Sequence, residues 1–227
     1  MKQFFDSVRA SFGALSQSQV DGFNALLLAS VGMPIKHRAY ILATAWHETA
    51  FTMQLIHERG QVSYFDKYEP GTDKGRDLGN TLKGDGYRFR GRGFVQLTGR
   101  RNYARAGAAL HIDLVGNPDK ALEPATAAKI IVFGMYEGWF TAKKLGSQSY
   151  VEMRRIVNGV DKAEQIAGYA VKFEAALASV TEAPQEPPKP ETPPVTRPVA
   201  GKGIGAVIVG ALMALAAAIA AYFIGGK

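Results

Sequence analysis

Apolar residues recur at helical spacing through most of the first 180 positions. Val20, Phe23, Leu27 and Val31 lie about a turn apart, and Ser16 or Ser18 precedes the run with Gln19 or Asp21 three residues on. That arrangement is the sequence form of a capping box. Gly32 closes this helix and Pro34 opens the next, at a position where its missing N–H costs little. Ile35, Ala39, Leu42 and Trp46 then form the stripe of a buried helix that carries Glu48 at its end. Residues 57 to 90 are dense in Gly, Asp, Lys and Tyr with weak periodicity, and read as a loop-rich lobe with a small β-hairpin, one wall of a cleft. Phe94-Val95-Gln96-Leu97-Thr98 reads as a short strand, with Phe94, Gln96 and Thr98 on one face and Val95 and Leu97 on the other.

Helical spacing returns at Arg100 to Leu110, and Pro118 marks a turn. Pro124 starts a long apolar helix through Ile130, Ile131, Phe133, Met135 and Tyr136 to about Phe140. Ser147 or Ser149 caps a short helix that stops at Asn158-Gly159. Asp161 with Glu164 reads as the capping pair of a last helix with its stripe on Ile166, Tyr169, Ala170, Phe173 and Leu177. The pattern predicts one mostly α domain over residues 1–180, with a small β element lining a cleft.

Beyond it the composition changes. Residues 181 to 200 hold seven of the eleven prolines, the mark of a polyproline-biased linker over 181–203 that reaches up to about 60 Å. Ile204 to Ile224 is 21 residues without a charge, about 31 Å as a helix and enough to cross a bilayer. A transmembrane helix over 204–224 is therefore expected. Lys189, Arg197 and Lys202 precede it closely, against Lys227 alone after it. Positive flanks stay inside, which puts the domain on the cytoplasmic side of the membrane. The segment MKQFFDSVRASFG has no apolar run of signal-peptide length, which agrees. Ala206, Gly210, Ala214 and Ala218 recur every four residues, a stripe that lets helices pack closely, with a second copy or a holin-like protein as the implied partner.

Charge narrows the partners. The formal charge is +7, and all but one unit of it falls before residue 181. A basic domain favours nucleic acid, a membrane surface or an anionic wall polymer. There is no cysteine, which excludes a disulfide framework and a thiolate metal site. The basic residues gather in YRFRGRGFVQLTGRRNY, from Tyr87 to Tyr103, with Arg88, Arg90, Arg92, Arg100 and Arg101 and no acid between Asp85 and Asp113. Gly91 and Gly93 bracket Arg92, so the backbone there is free to take positive φ or approach a neighbour closely. On pattern alone this is either a cleft lining or an edge strand with solvated arginines.

GRGFVQLTGRRNY resembles the GRG-x-x-QL-[ST]-x-x-x-NY segment of glycoside hydrolase family 19, the plant-type chitinases and related phage endolysins. Three further stretches resemble family motifs in the same order: Trp46-His47-Glu48-Thr49; Asn117-Pro118-Asp119 followed by Gly138-Trp139-Phe140-Thr141; and Ile156-Val157-Asn158-Gly159. The resemblance covers roughly residues 20 to 178, and FRGRGFVQLTGR brings it nearer the phage lysis enzymes. It implies a lysozyme-like α+β fold and an inverting hydrolase of β-1,4-linked amino sugars.

Inverting hydrolysis needs a carboxylic acid to protonate the leaving oxygen and a carboxylate on the opposite face to activate water. The resemblance implies Glu48 as the acid. Ala45 and Trp46 beside it suggest partial desolvation, which raises a carboxyl pKa. Glu58, in Ile56-His57-Glu58-Arg59, resembles the base-bearing segment with a shortened loop; Glu69 fits the plant enzymes' spacing and is the alternative base. Asp66 and Asp73 are outsiders. The resemblance further implies that Thr98 holds the water and that Gln96, Asn102 and Asn158 bond the sugar. Arg92 is expected to pair with a carboxylate across the cleft, and Tyr87 joins the substrate-binding candidates. Asn158 before Gly159 also fits a left-handed turn residue.

No metal or cofactor is expected. His47-Glu48 is followed by Phe51 where a zinc-binding HExxH helix needs its second histidine, and the acidic loop from Asp66 to Asp77 lacks calcium-loop spacing. Two function classes remain. One is a membrane-tethered endolysin cutting peptidoglycan glycan strands, or a chitinase cutting chitin. The other is a non-catalytic tethered binder of wall polymer or nucleic acid. Stem-peptide carboxylates suit a basic cleft, so peptidoglycan is the expected substrate and nucleic acid is not expected. In that reading the enzyme waits on the cytoplasmic side of the inner membrane until lysis, with a place in the virion left open.

Overall fold

Residues 1–181 are described by a computed structural model. Their helices are α1 (Lys2–Phe12), α2 (Gln17–Ala29), α3 (Ile35–Glu48), α4 (Asp73–Asp77), α5 (Asp85–Arg88), α6 (Arg100–Leu110), α7 (Pro124–Glu137), α8 (Tyr150–Met153) and α9 (Ala163–Thr181). Short 3₁₀ segments cover Val62–Tyr68, Pro118–Leu122 and Arg154–Ile156. The linker expected at 181–203 and the membrane helix expected at 204–224 fall beyond the described residues, apart from Thr181.

Local chemistry explains the helix starts. Ser16 and Gln19 form the capping box of α2, and Ser149 with Glu152 forms that of α8. α3 begins after Pro34 and ends at Glu48. α9 begins at Ala163, one residue later than the Asp161–Glu164 pair implied, because Lys162 takes positive φ and its carbonyl receives the first helical bond from Ile166. α1 has no counterpart in the sequence reading, although Phe4, Phe5 and Val8 bury one face of it.

Two cores hold the domain. In the first, Phe12 of α1, Phe23 of α2, Trp46 of α3 and Phe173 of α9 meet ring to ring. Phe23 stacks on Trp46 at 5.7 Å, and Phe12 stacks on Phe173 at 4.8 Å. Aromatic burial on this scale fixes the direction of α3 and so the place of Glu48. In the second core, Phe89, Leu97, Tyr103, Ala106, Leu110, Leu114, Ala121 and Ile130 join the arginine-rich stretch to α6 and α7.

The expected strand and hairpin are absent among the described residues, which hold only isolated bridges, His57 with Arg92 and Arg92 with Leu97. Arg92 and Leu97 exchange backbone bonds of 3.2 and 2.9 Å, closing a tight loop in which Gly93 has φ +81° and Gln96 has φ +50°. Phe94 and Leu97 are both buried. Alternation fails because the chain turns back on itself within four residues, so that residues three apart are both buried.

The loop-rich lobe is pinned by polar side chains. Asn80 donates to the Tyr68 carbonyl and accepts from the Arg100 amide, which caps α6. Asp85, 2% exposed, accepts from the amides of Thr81 and Leu82 and from Arg100 at 2.7 and 2.6 Å. Burial alone raises the Asp85 carboxyl, but the Arg100 and amide bonds outweigh it and hold it below its ordinary value of 3.8. A lowered folded-state pKa gives stability that is present at neutral pH and lost as pH falls from about 4 through the folded value. Asp85→Ala is therefore expected to cost about 2–3 kcal/mol at pH 7. In urea melts run against pH, the difference between parent and variant should shrink below about pH 4.

Candidate active site

Glu48 closes α3 with a quarter of its side chain exposed, and its Oε1 accepts a 2.6 Å bond from Arg154 Nη1. Arg154 is 3% exposed and also donates from Nε to the Asp161 carbonyl. The Glu48 carboxylate is thus held by a guanidinium on a short helix more than a hundred residues away. Arg154 was missed in the sequence. Its one signal was a charge in the otherwise apolar register between Met153 and Ile156, and both of those are buried.

Glu58 is held by the arginine-rich loop. Its amide donates to the Gly91 carbonyl at 2.7 Å, and its Oε2 accepts from the Gly91 amide at 3.1 Å. Oε1 accepts from the Tyr68 hydroxyl at 3.2 Å. Burial, and after it the Glu58 carboxylate, raise the Tyr68 phenol above its ordinary value of 10.0, so it stays a donor at neutral pH.

Glu69 sits elsewhere. Its two oxygens accept from the amides of Gly84 and Gly86 at 2.7 and 2.9 Å, at the start of α5. Glu69 is thereby tied to the backbone of the lobe, and not to the Gly91 loop that holds Glu58.

Gln96, Thr98 and Asn102 line one hollow of about 200 Å³ with Leu78, Trp139 and Phe140. Leu78 and Thr98 also line an adjoining hollow of about 340 Å³ that includes Tyr68. The two make a groove past the tyrosine that bonds Glu58. Thr98 Oγ1 donates to the Gln96 carbonyl, and Asn102 Nδ2 donates to the Thr98 carbonyl, both at 2.7 Å. A Cβ at Gly91 would stand 2.5 Å from Gln96 Oε1, so any larger residue there would displace the Gln96 side chain. Asn158 is exposed, and its Oδ1 accepts from the next amide, the local bond of a turn residue. Tyr87 is 39% exposed beneath the Arg90 guanidinium, 4.0 Å from its ring centre.

Arg92 does not pair with either candidate catalytic carboxylate. It is 4% exposed and donates from Nε to Asp119 at 2.8 Å, and from Nη1 to Tyr103 Oη and the carbonyls of Arg88 and Arg90. With its guanidinium nearly enclosed, Arg92 bears on the candidate site chiefly through the loop it holds. Burial pushes the Tyr103 phenol up to about 12, and as a neutral hydroxyl it also donates to the Arg90 carbonyl. Asp119 lies below its ordinary value of 3.8, first through its bond from His57 and then through Arg92. Among the described residues no three of His, Asp and Glu gather as metal ligands.

Glu69→Ala is expected to cost about 1–3 kcal/mol by stripping two amides of their acceptor. Thermal melts should show the loss, while turnover per folded molecule stays near that of the parent.

No family model matches the chain. "Chitinase 8" of Oryza sativa subsp. japonica is 64% identical over 31 residues, which is 14% of this chain and 12% of that protein. The chain thus spans about an eighth of the curated relative it matches. Among solved structures, chitinase C from Streptomyces griseus HUT6037 superposes with a TM-score of 0.52 at 20% identity, over 78% of this chain and 75% of that one. A glutamate-to-glutamine mutant of chitinase C gives 0.53 at the same identity and coverage. The described domain therefore has a chitinase-type fold, the fold that the resemblance to glycoside hydrolase family 19 implied.

Proposed function

We propose that this domain is a glycoside hydrolase that cuts β-1,4-linked amino-sugar strands of peptidoglycan, with Glu48 as general acid and Glu58 as general base. The groove carries this reading: Gln96, Thr98 and Asn102 share it with Trp139 and Phe140, and Tyr68 ties its far end to Glu58. Aromatic faces take the apolar side of a sugar ring, and amides take its hydroxyls.

In the inverting course Glu48 gives its proton to the glycosidic oxygen as the bond to the anomeric carbon breaks. The carboxylate this leaves is the group to which Arg154 donates at 2.6 Å. Water attacks from the opposite face while Glu58 takes its proton. The Thr98 hydroxyl spends its own proton on the Gln96 carbonyl, which leaves its oxygen to accept the second hydrogen of that water. Gly91 and Tyr68 hold Glu58 on two sides, so the base keeps one orientation.

The excess of basic side chains around Tyr87 to Tyr103 favours a carboxylate-bearing strand over neutral chitin. The match to a rice chitinase supports chitin as the second reading. An endolysin role follows from the peptidoglycan reading together with an uncharged run at 204–224 that is long enough to anchor the chain. In that setting the domain stays on the cytoplasmic side until the membrane is breached, and the proline-rich segment then supplies reach.

A zymogram on murein-loaded gel, with a chitin-loaded gel as control, is expected to clear in the first and stay opaque in the second. Clearing of chitin alone would select the chitinase, and clearing of neither would leave a binder. Glu48→Gln keeps the shape but removes the proton donor, and should lower turnover at least about 10²-fold. Glu58→Gln should do the same. Thr98→Val should lower kcat more than it raises KM, because water positioning matters chiefly in the transition state.

A further inference from the structure

A separate pocket of about 750 Å³ shares no lining residue with the groove. Lys83, Tyr87, Arg88, Arg90, Arg92 and Arg100 line it, with Asp85 and Asp119 as its acids. Both acids are already committed, Asp85 to Arg100 and Asp119 to Arg92 and His57. Lys83, Arg88 and Arg90 are left facing one cavity with no carboxylate partner among the described residues. Each arginine spends a single nitrogen on backbone: Arg88 Nη2 on the carbonyls of Val115 and Gly116, and Arg90 Nη1 on that of Tyr87. Those bonds aim the guanidinium groups and leave their other N–H donors for a ligand. Three like charges around one concave surface repel each other, and an anion between them relieves that repulsion.

We propose that this pocket binds carboxylates carried by the polymer that the groove cuts, the side-chain and terminal carboxylates of a peptide-bearing glycan. The proposal rests on the peptidoglycan reading and deepens it. Arginine forks suit planar carboxylates, which they grip through two parallel bonds. The volume suits a peptide-sized ligand. The pocket reaches Asp119, whose His57 partner adjoins Glu58, so a branch held here belongs to a strand lying close to the base. Nucleic acid fits less well. Single strands stack bases on open aromatic faces, and the one exposed aromatic here, Tyr87, has its face covered by Arg90 at 4.0 Å. The polymer's carboxylates thus give the enzyme a grip on its substrate that neutral chitin does not offer.

The test is co-sedimentation of the full chain, in mild detergent and carrying Glu48→Gln to prevent digestion, with purified sacculi and with sacculi whose carboxyls have been converted to amides. Native sacculi are expected to bind at least about tenfold more tightly at low ionic strength, with the difference lost at high salt. Lys83→Gln, Arg88→Gln and Arg90→Gln combined should bring binding to native sacculi down to the amidated level, with an unchanged melting temperature. Equal binding to native and amidated sacculi would overturn the proposal, as would full affinity in the triple variant. Tighter binding to duplex DNA than to sacculi would overturn it in favour of a nucleic-acid site. Failure of the hydrolase reading appears instead as no bond cleavage by the unmodified chain, so the two failures are separable.

Discussion

A guanidinium taken out of water must donate nearly all its N–H groups, or its burial costs several kcal/mol. Arg92 answers it from Nε, to Asp119, and from Nη1, to Tyr103 and the carbonyls of Arg88 and Arg90. Meeting it dictates the shape of the loop. The backbone on either side curls toward the side chain, with Gly93 at positive φ, and the returning chain closes through the paired bonds between Arg92 and Leu97. Once closed, the loop presents Gly91 to Glu58 on one flank and Gln96 and Thr98 to the groove on the other. A side chain bonded to its own loop thus sets the geometry of Gly91, Gln96 and Thr98.

The second half of the candidate site is delivered by helices. The ring cluster of Phe12, Phe23, Trp46 and Phe173 fixes α3, whose last residue is Glu48. The 3₁₀ turn after α8 supplies Arg154 from the opposite end of the domain sequence. The proposed acid and the proposed base therefore belong to different structural systems, one carried by aromatic packing and one by a polar loop. That division suits a reaction in which the two carboxyls act on opposite faces of one bond. The loop-rich lobe is stiffened by Asn80, Asp85 and Glu69, each of which accepts from backbone amides.

Helices were legible wherever local chemistry decides them: the Ser16–Gln19 box, a serine cap at Ser149, Pro34 and Pro124 at helix starts, and Arg100–Leu110. The Phe94–Thr98 strand was misread because a five-residue alternation also fits a loop that turns twice, and long-range burial of Arg92 decided between them. Arg92 itself was read as a cleft residue, although its carboxylate partner is Asp119, a residue the sequence offered only as part of Asn117-Pro118-Asp119. Arg154 and the backbone tasks of Glu69 were invisible for the same reason: their partners lie far away in sequence. Spacing identifies residue types suited to the chemistry, but which carboxylate meets which cation is settled by tertiary packing.

An acid and a base on opposite faces of the scissile bond make one stereochemical demand. Water enters opposite the leaving group, so a β-linked substrate yields an α-configured reducing end. Proton NMR of the first product, recorded before mutarotation, reads this directly. With Glu48 and Glu58 in the roles given to them, the α-anomer should appear first and decay toward equilibrium. Initial formation of the β-anomer would mean retention through a covalent or substrate-assisted intermediate, and would contradict the account.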